Sequence, residues 1–179
     1  LKRELLPPRE RLFSTIRRGK QVTITNEPLS TEKIAFLGAK ACELSAMLTQ
    51  DRVFLGQNHP DAHYAARRRA MFIDGVSCTQ AGGTCFCTSM GTGPRVDAGA
   101  DLALVEVVSD RGHYFLIEAK TSAGHDVAQK LALAPASVDD IRQAELRIAD
   151  ATTQMGRHLS TSGIKEQLAA AAEHPHWDD

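Results

Sequence analysis

The sequence predicts a single α/β domain over residues 1–179: a mixed β-sheet with flanking helices, a β-hairpin, and a cysteine-rich loop at the strand ends. Three observations predict it. Residues 33–38 and 71–77 are short, nearly continuous apolar runs, the pattern of strands buried on both faces of a sheet. Stretches of helical composition lie between and after them. Residues 101–108 and 113–119 are two more strand-like runs around Ser109-Asp110-Arg111-Gly112, which reads as a hairpin with a four-residue turn.

Taken in order, residues 9–18 follow Pro7-Pro8 and set Leu12, Phe13 and Ile16 on one side, so a short amphipathic helix stopped by Gly19 is expected. Val22-Thr23-Ile24-Thr25 alternates and is β-branched, hence a strand, and residues 26–31 form a turn. The apolar run at 33–38 leads straight into a helical stretch, 39–48, with Leu44, Met47 and Leu48 at core-facing spacing. Cys42 thus falls near a strand-to-helix junction, and a helix N-terminus favours negative charge. Residues 51–55 read as extended, 56–60 as a loop, and 61–70 as a second helix ending in Arg67-Arg68-Arg69. The run at 71–77 delivers the chain into Cys78. Two strands therefore each end at a cysteine, as when an open α/β sheet builds a site at the carboxyl ends of its strands. Further on, Ser137 can cap a long helix whose positive end suits Asp139 and Asp140, and residues 164–172 form an alanine-rich helix.

Bulk properties narrow the function classes. The chain has 179 residues, 42% hydrophobic and 24% charged, normal for one globular domain with a proper core. A net charge of −1 and 5% aromatics speak against a nucleic-acid binder, which needs a basic face or a stacking platform. No apolar run approaches the ~20 residues that cross a bilayer, and Leu1-Lys2-Arg3-Glu4 does not open like a signal peptide. The expected compartment is the cytoplasm, with reduced thiols.

The chemistry concentrates between Cys78 and Pro94. Cys78, Cys85 and Cys87 lie within ten residues, and Gly82, Gly83, Gly91 and Gly93 are interleaved with or follow them. Glycine lets the backbone bend sharply and aim N–H groups inward, and thiolates at a metal–sulfur centre need such donors around them. Cys42, the fourth thiol, would tie a distant part of the fold into the same site. An iron–sulfur centre on Cys42, Cys78, Cys85 and Cys87 is the leading reading. Zinc is a rival, weakened because paired Cys-x2–4-Cys knuckles are missing, and buried structural thiols are another. The glycines are expected to shape the loop around the cofactor, at least one with positive φ.

Other candidates carry less. Gly91-Thr92-Gly93-Pro94 lacks the lysine of a phosphate-binding loop. His59 and His63 have metal-ligand spacing, but Pro60 separates them and both are expected at the surface. Arg67 to Arg69 read as a solvated helix face, with a docking patch as the alternative, and Glu118 and Lys120 as an exposed pair. No nucleophile–base–orienter set stands out, so no substrate chemistry of its own is expected.

The stretches Phe36-Leu37-Gly38-Ala39-Lys40-Ala41-Cys42-Glu43-Leu44 and Asp51-Arg52-Val53-Phe54-Leu55, then Tyr64-Ala65-Ala66-Arg67-Arg68, carry a family resemblance. So, most specifically, do Cys78 and Gly82-Gly83-Thr84-Cys85-Phe86-Cys87-Thr88-Ser89-Met90-Gly91-Thr92-Gly93-Pro94. The chain resembles the amino-terminal region of the beta subunit of sulfhydrogenase-type nickel–iron hydrogenases, and the related A subunit of anaerobic sulfite reductase. Ala39-Lys40 stands where the family tends to Val-Arg, and Glu43 where Asp is common. The resemblance implies an electron-relay subunit between a flavin subunit that handles NAD(P)H and a hydrogenase or sulfite reductase catalytic subunit. The cofactor it implies is an iron–sulfur cluster, of the 4Fe-4S kind, with zinc or no metal as the alternative. A structural docking domain is the rival function. In the family a His-Pro-x-Trp-Asp stretch, here His174-Pro175-His176-Trp177-Asp178-Asp179, leads into a ferredoxin-like dicluster module that this chain does not contain. The chain is therefore expected to be a fragment whose tail, from about His174 with the sole tryptophan Trp177, packs poorly.

Overall fold

The computed structural model describes residues 2–30, 32–56, 58–110 and 112–177. Expectations placed on Thr31, Gln57, Arg111, Asp178 and Asp179 fall outside the described residues.

A short helix, α1 (Lys2–Leu5), precedes a two-stranded antiparallel ribbon, β1 (Phe13–Arg18) and β2 (Gln21–Asn26). The helix expected over residues 9–18 is therefore a strand. Leu12, Phe13 and Ile16 mimic a helical stripe, but Ser14-Thr15-Ile16 faces Thr23-Ile24-Thr25 across a two-residue loop that begins with Gly19 at φ +63°. Strand pairing overrides the stripe.

The main sheet follows. β3 (Ile34–Lys40) leads into α2 (Ala41–Phe54) and α3 (Ala62–Arg69), which cross back to β4 (Met71–Ser77). After the cysteine loop come the hairpin strands β5 (Leu102–Ser109) and β6 (Gly112–Ala119). Then follow α4 (Ser122–Ala128), α5 (Val138–Thr153) and α6 (Ile164–Ala171), and a 3-10 turn over Pro175–Trp177. The strand order is β3-β4-β5-β6, parallel except for β6, so the expected mixed sheet with its hairpin is present.

Three further details depart from the expectations. Residues 51–54 finish α2 instead of forming a strand, because Phe54 stacks on Tyr64 with ring centroids 5.0 Å apart, and that contact outweighs the β preference of Val53-Phe54. β3 is not buried on both faces: it is an edge strand, and Leu37 is 74% exposed. The short helix α4, capped by Thr121 accepting from the Gly124 N–H at 3.1 Å, follows the hairpin unannounced. Ser137 does cap α5, accepting from the Asp140 N–H at 3.2 Å.

The core lies on one side of the sheet. Met71, Ile73 and Ala103 meet Leu44 and Met47 of α2 and Tyr64 of α3, while Val105 and Val107 meet Ala144 and Ile148 of α5. Burying side chains of this size is worth roughly 1.5–3 kcal/mol each. This packing fixes the helices to the sheet, and with them the start of α2 beside the end of β4. No helix among the described residues is long and apolar enough to cross a membrane.

Candidate metal centre

Each cysteine is delivered by a specific local structure. β3 ends at Lys40, whose N–H donates to the Glu43 carboxylate at 2.8 Å, and Cys42 is the second residue of α2. β4 ends at Ser77, and the next residue, Cys78, donates its N–H to the Pro94 carbonyl at 3.0 Å, closing the loop 78–94 on itself. Inside the loop, the Cys85 N–H donates to the Gly82 carbonyl at 3.0 Å, and the Gly82 N–H points back to the Cys85 Sγ at 3.3 Å. The Cys87 carbonyl accepts from the Met90 and Thr92 N–H groups at 3.2 and 2.9 Å.

Two of the four loop glycines, Gly91 and Gly93, serve these turns, whereas Gly82 and Gly83 lack positive φ and would leave room for a Cβ. Gly91 sits at φ +63°, where a side chain would be strained. A Cβ on Gly93 would stand 3.2 Å from the Cys87 Sγ, so its absence lets the backbone wrap the thiol closely. Gly83 packs its backbone against Gly156, where an added Cβ would meet the Gly83 carbonyl at 2.3 Å.

Cys42, Cys78, Cys85 and Cys87 all line one cavity of about 350 Å³, together with Lys40, Phe86, Thr92 and Met155. Among the described residues its lining contains no carboxylate and no imidazole. The chain's free cysteines are thus brought together, with Cys42 exposed and the other three half-buried. Among the described residues no trio of His, Cys, Asp or Glu closes on a single-ion site.

The electrostatics fit that proximity. Burial pushes the Cys78 thiol above its ordinary value of 9.0, with Cys42, Cys87 and Cys85 adding to the rise and the Lys40 ammonium opposing it. Burial likewise raises Cys87, helped by Cys42 and Cys85 and opposed by the backbone amides of Cys87 and Thr88. The thiols sense one another.

Part of this wall was not legible in the sequence. The residues after α5 lie over the cysteine loop: Met155 Sδ is 3.9 Å from Cys87 Sγ, the Arg157 N–H donates to the Cys85 carbonyl at 3.0 Å, and the Leu159 N–H to the Ser89 hydroxyl at 3.1 Å. Nothing local marks these residues, which approach the loop from 70 positions away.

The remaining candidates serve structure. Arg67 pairs with Glu10 and donates to the Leu5 carbonyl at 2.9 Å, and Arg68 pairs with Asp51 at 3.1 Å. The arginine run is therefore not simply a solvated face; two of its members tie α3 to α1 and α2. His59 is exposed, whereas His63 is half-buried against Glu10 at 3.1 Å. Glu118 and Lys120 do pair, at 2.9 Å. Trp177 is 74% exposed.

Comparison with known proteins bears on this geometry. The beta subunit of sulfhydrogenase 2 from Pyrococcus furiosus is 31% identical over 125 residues, covering 65% of this chain and 35% of that subunit. The chain is related to the sulfhydrogenase beta subunit. It spans about a third of the length of that relative, 35%. No protein-family model and no solved structure matches the chain.

Proposed function

We propose that the chain is an electron-transfer domain that holds an iron–sulfur cluster on Cys42, Cys78, Cys85 and Cys87 within a multi-subunit oxidoreductase. The observation that carries this reading is the gathering of all four thiols on one cavity whose lining, among the described residues, holds no carboxylate or imidazole. A soft, all-thiol donor set suits zinc, copper(I) or iron–sulfur centres, and excludes the oxygen ligands that calcium and magnesium need. The cavity, about 350 Å³, offers room for a polynuclear core of the 4Fe-4S kind.

The surrounding residues fit such a group. A bound cluster supplies reversible one-electron transfer, with a potential set by charge, hydrogen bonds to sulfur and burial. The Gly82 N–H already donates to a cysteine sulfur at 3.3 Å. Burial raises both the Cys87 and Cys78 thiols, and the amides of Cys87 and Thr88 oppose that rise at Cys87 as the Lys40 ammonium does at Cys78. Thr88 Oγ1 is buried without a hydrogen-bond partner among the described residues, a hydroxyl donor beside Cys87. Met155 and Phe86 add apolar wall to the cavity.

Relation to a sulfhydrogenase beta subunit supports a place in a multi-subunit assembly; within it, as part of this proposal, the domain relays electrons between a flavin subunit that handles NAD(P)H and a hydrogenase or sulfite reductase catalytic subunit. The test is anaerobic reconstitution with ferrous iron and sulfide. The expected product is brown, with sulfur-to-iron charge-transfer absorbance that bleaches on reduction and a paramagnetic resonance signal. A colourless chain that takes up zinc alone would leave a structural docking role in its place.

A further inference from the structure

The ribbon formed by β1 and β2 has no cover among the described residues. It is a separate two-stranded sheet, and every residue of both strands is exposed. An isolated two-stranded hairpin is at best marginally stable in water. Yet this one carries four large apolar side chains, each more than half exposed: Phe13 at 53%, Ile16 at 59%, Val22 at 55% and Ile24 at 64%. The pairing Phe13↔Asn26, Thr15↔Ile24 and Arg17↔Val22 places Phe13, Val22 and Ile24 on one face, so the ribbon presents a defined apolar side.

Its charge is as one-sided as its hydrophobicity. Residues 13–26 contain Arg17, Arg18 and Lys20 and no carboxylate, in a chain whose net charge is −1. Arg17 Nε donates to the Gly19 carbonyl at 3.0 Å, while Arg18 and Lys20 form no ion pair among the described residues. The root of the ribbon, in contrast, is held firmly. The Glu27 N–H donates to the Leu12 carbonyl at 3.0 Å, and Glu10, just before the first strand, pairs with Arg67 and with His63 at 3.1 Å. The arm is thus presented from an anchored base.

We propose that this ribbon is a docking arm for another protein chain, seating its apolar face on an apolar patch rimmed by Asp and Glu. Charge complementarity selects an acidic rim, because the three cations at the tip have no ion-pair partner among the described residues. A protein is favoured over a nucleic acid because phosphates would engage the cations alone and leave Phe13, Val22 and Ile24 wet. The ribbon's only aromatic is Phe13, too little for a base-stacking platform. This arm is independent of the cysteine cavity, and its failure would leave the metal reading untouched.

The experiment places a photo-crosslinking amino acid at Val22 of the full chain, produced in its native cells, and maps the adduct by mass spectrometry. The expected adduct is a peptide of a different polypeptide with Asp or Glu beside apolar residues. Its yield should fall about tenfold or more when Arg17, Arg18 and Lys20 are all changed to Glu. That triple variant alters only exposed side chains, and an unchanged melting curve establishes that it folds. Crosslinking to nucleic acid, to a second copy of this chain, or to a peptide without acidic residues would overturn the proposal. So would a yield indifferent to charge reversal, or no adduct from Val22 while the same probe at the exposed Leu168 forms one.

Discussion

Gly156 is the point where the segment after α5 touches the cysteine loop most closely, which makes Gly156→Ala a direct probe of how the loop is held. The added Cβ would lie 2.3 Å from both the carbonyl carbon and oxygen of Gly83, whereas ordinary contact begins at 3.4 Å. No flexible side chain stands between them, so two backbone segments must part by about 1 Å. Overpacking of this kind costs about 1–3 kcal/mol. At about 2–4 °C per kcal/mol for a chain of this size, the melting temperature should fall by about 2–12 °C. The same parting pulls on the Arg157 N–H to Cys85 carbonyl bond, 3.0 Å long, so iron bound per chain after reconstitution should fall as well. Gly83→Ala is the matched control from the other side of the contact. A Cβ there meets nothing within 4 Å, and φ does not lie in the left-handed region, so the substitution should leave iron content unchanged and stability unchanged or slightly raised. Calorimetry and iron analysis read both. A Gly156→Ala chain that melts and loads like the parent, or a Gly83→Ala chain damaged equally, would refute the idea that this backbone contact clamps the loop.

Tyr64→Phe should cost about 1–2 kcal/mol in urea titration, because it removes the partly buried 2.7 Å hydrogen bond to Asp51 between α3 and α2. Burial raises the Asp74 carboxyl, and Asp74 Oδ1 has no hydrogen-bond partner among the described residues. Its ionisation therefore weakens the fold as pH rises above the ordinary value of 3.8. Asp74→Asn should stabilise the chain at neutral pH by up to about 1 kcal/mol, discounted for partial exposure, with the gain vanishing in acid. Cys78 and Cys87 lie above 9.0, so the folded metal-free chain retains protons that the unfolded chain releases. Its urea midpoint should drop as pH rises past about 9, and metal loading should strengthen with pH because it displaces those protons.

What could be read from the sequence was whatever is encoded locally. Ser137 before Asp139-Asp140 states its own helix cap, and the runs around Ser109-Asp110-Arg111-Gly112 state their own hairpin. The convergence of Cys42 with the loop cysteines was legible for a topological reason: two apolar runs each end at a thiol, and adjacent parallel strands bring their carboxyl ends together. Residues 9–18 were misread because a ribbon strand rich in arginine offers the same three- and four-residue spacing as a helix. Phe54 was misread because its stacking on Tyr64 depends on a residue ten positions further on. Met155 and Gly156 were invisible, since only the packing of α5 against β5 decides where the following residues land.

The central claim, that four thiols of one chain act as a single iron–sulfur site, is tested most directly by native mass spectrometry of the anaerobically reconstituted chain and of Cys42→Ala. The account predicts a mass increment of iron together with inorganic sulfide on the parent chain, and its loss or degradation when Cys42 is removed. A parent chain carrying only zinc or no metal, or a Cys42→Ala chain that keeps the full increment, would contradict it.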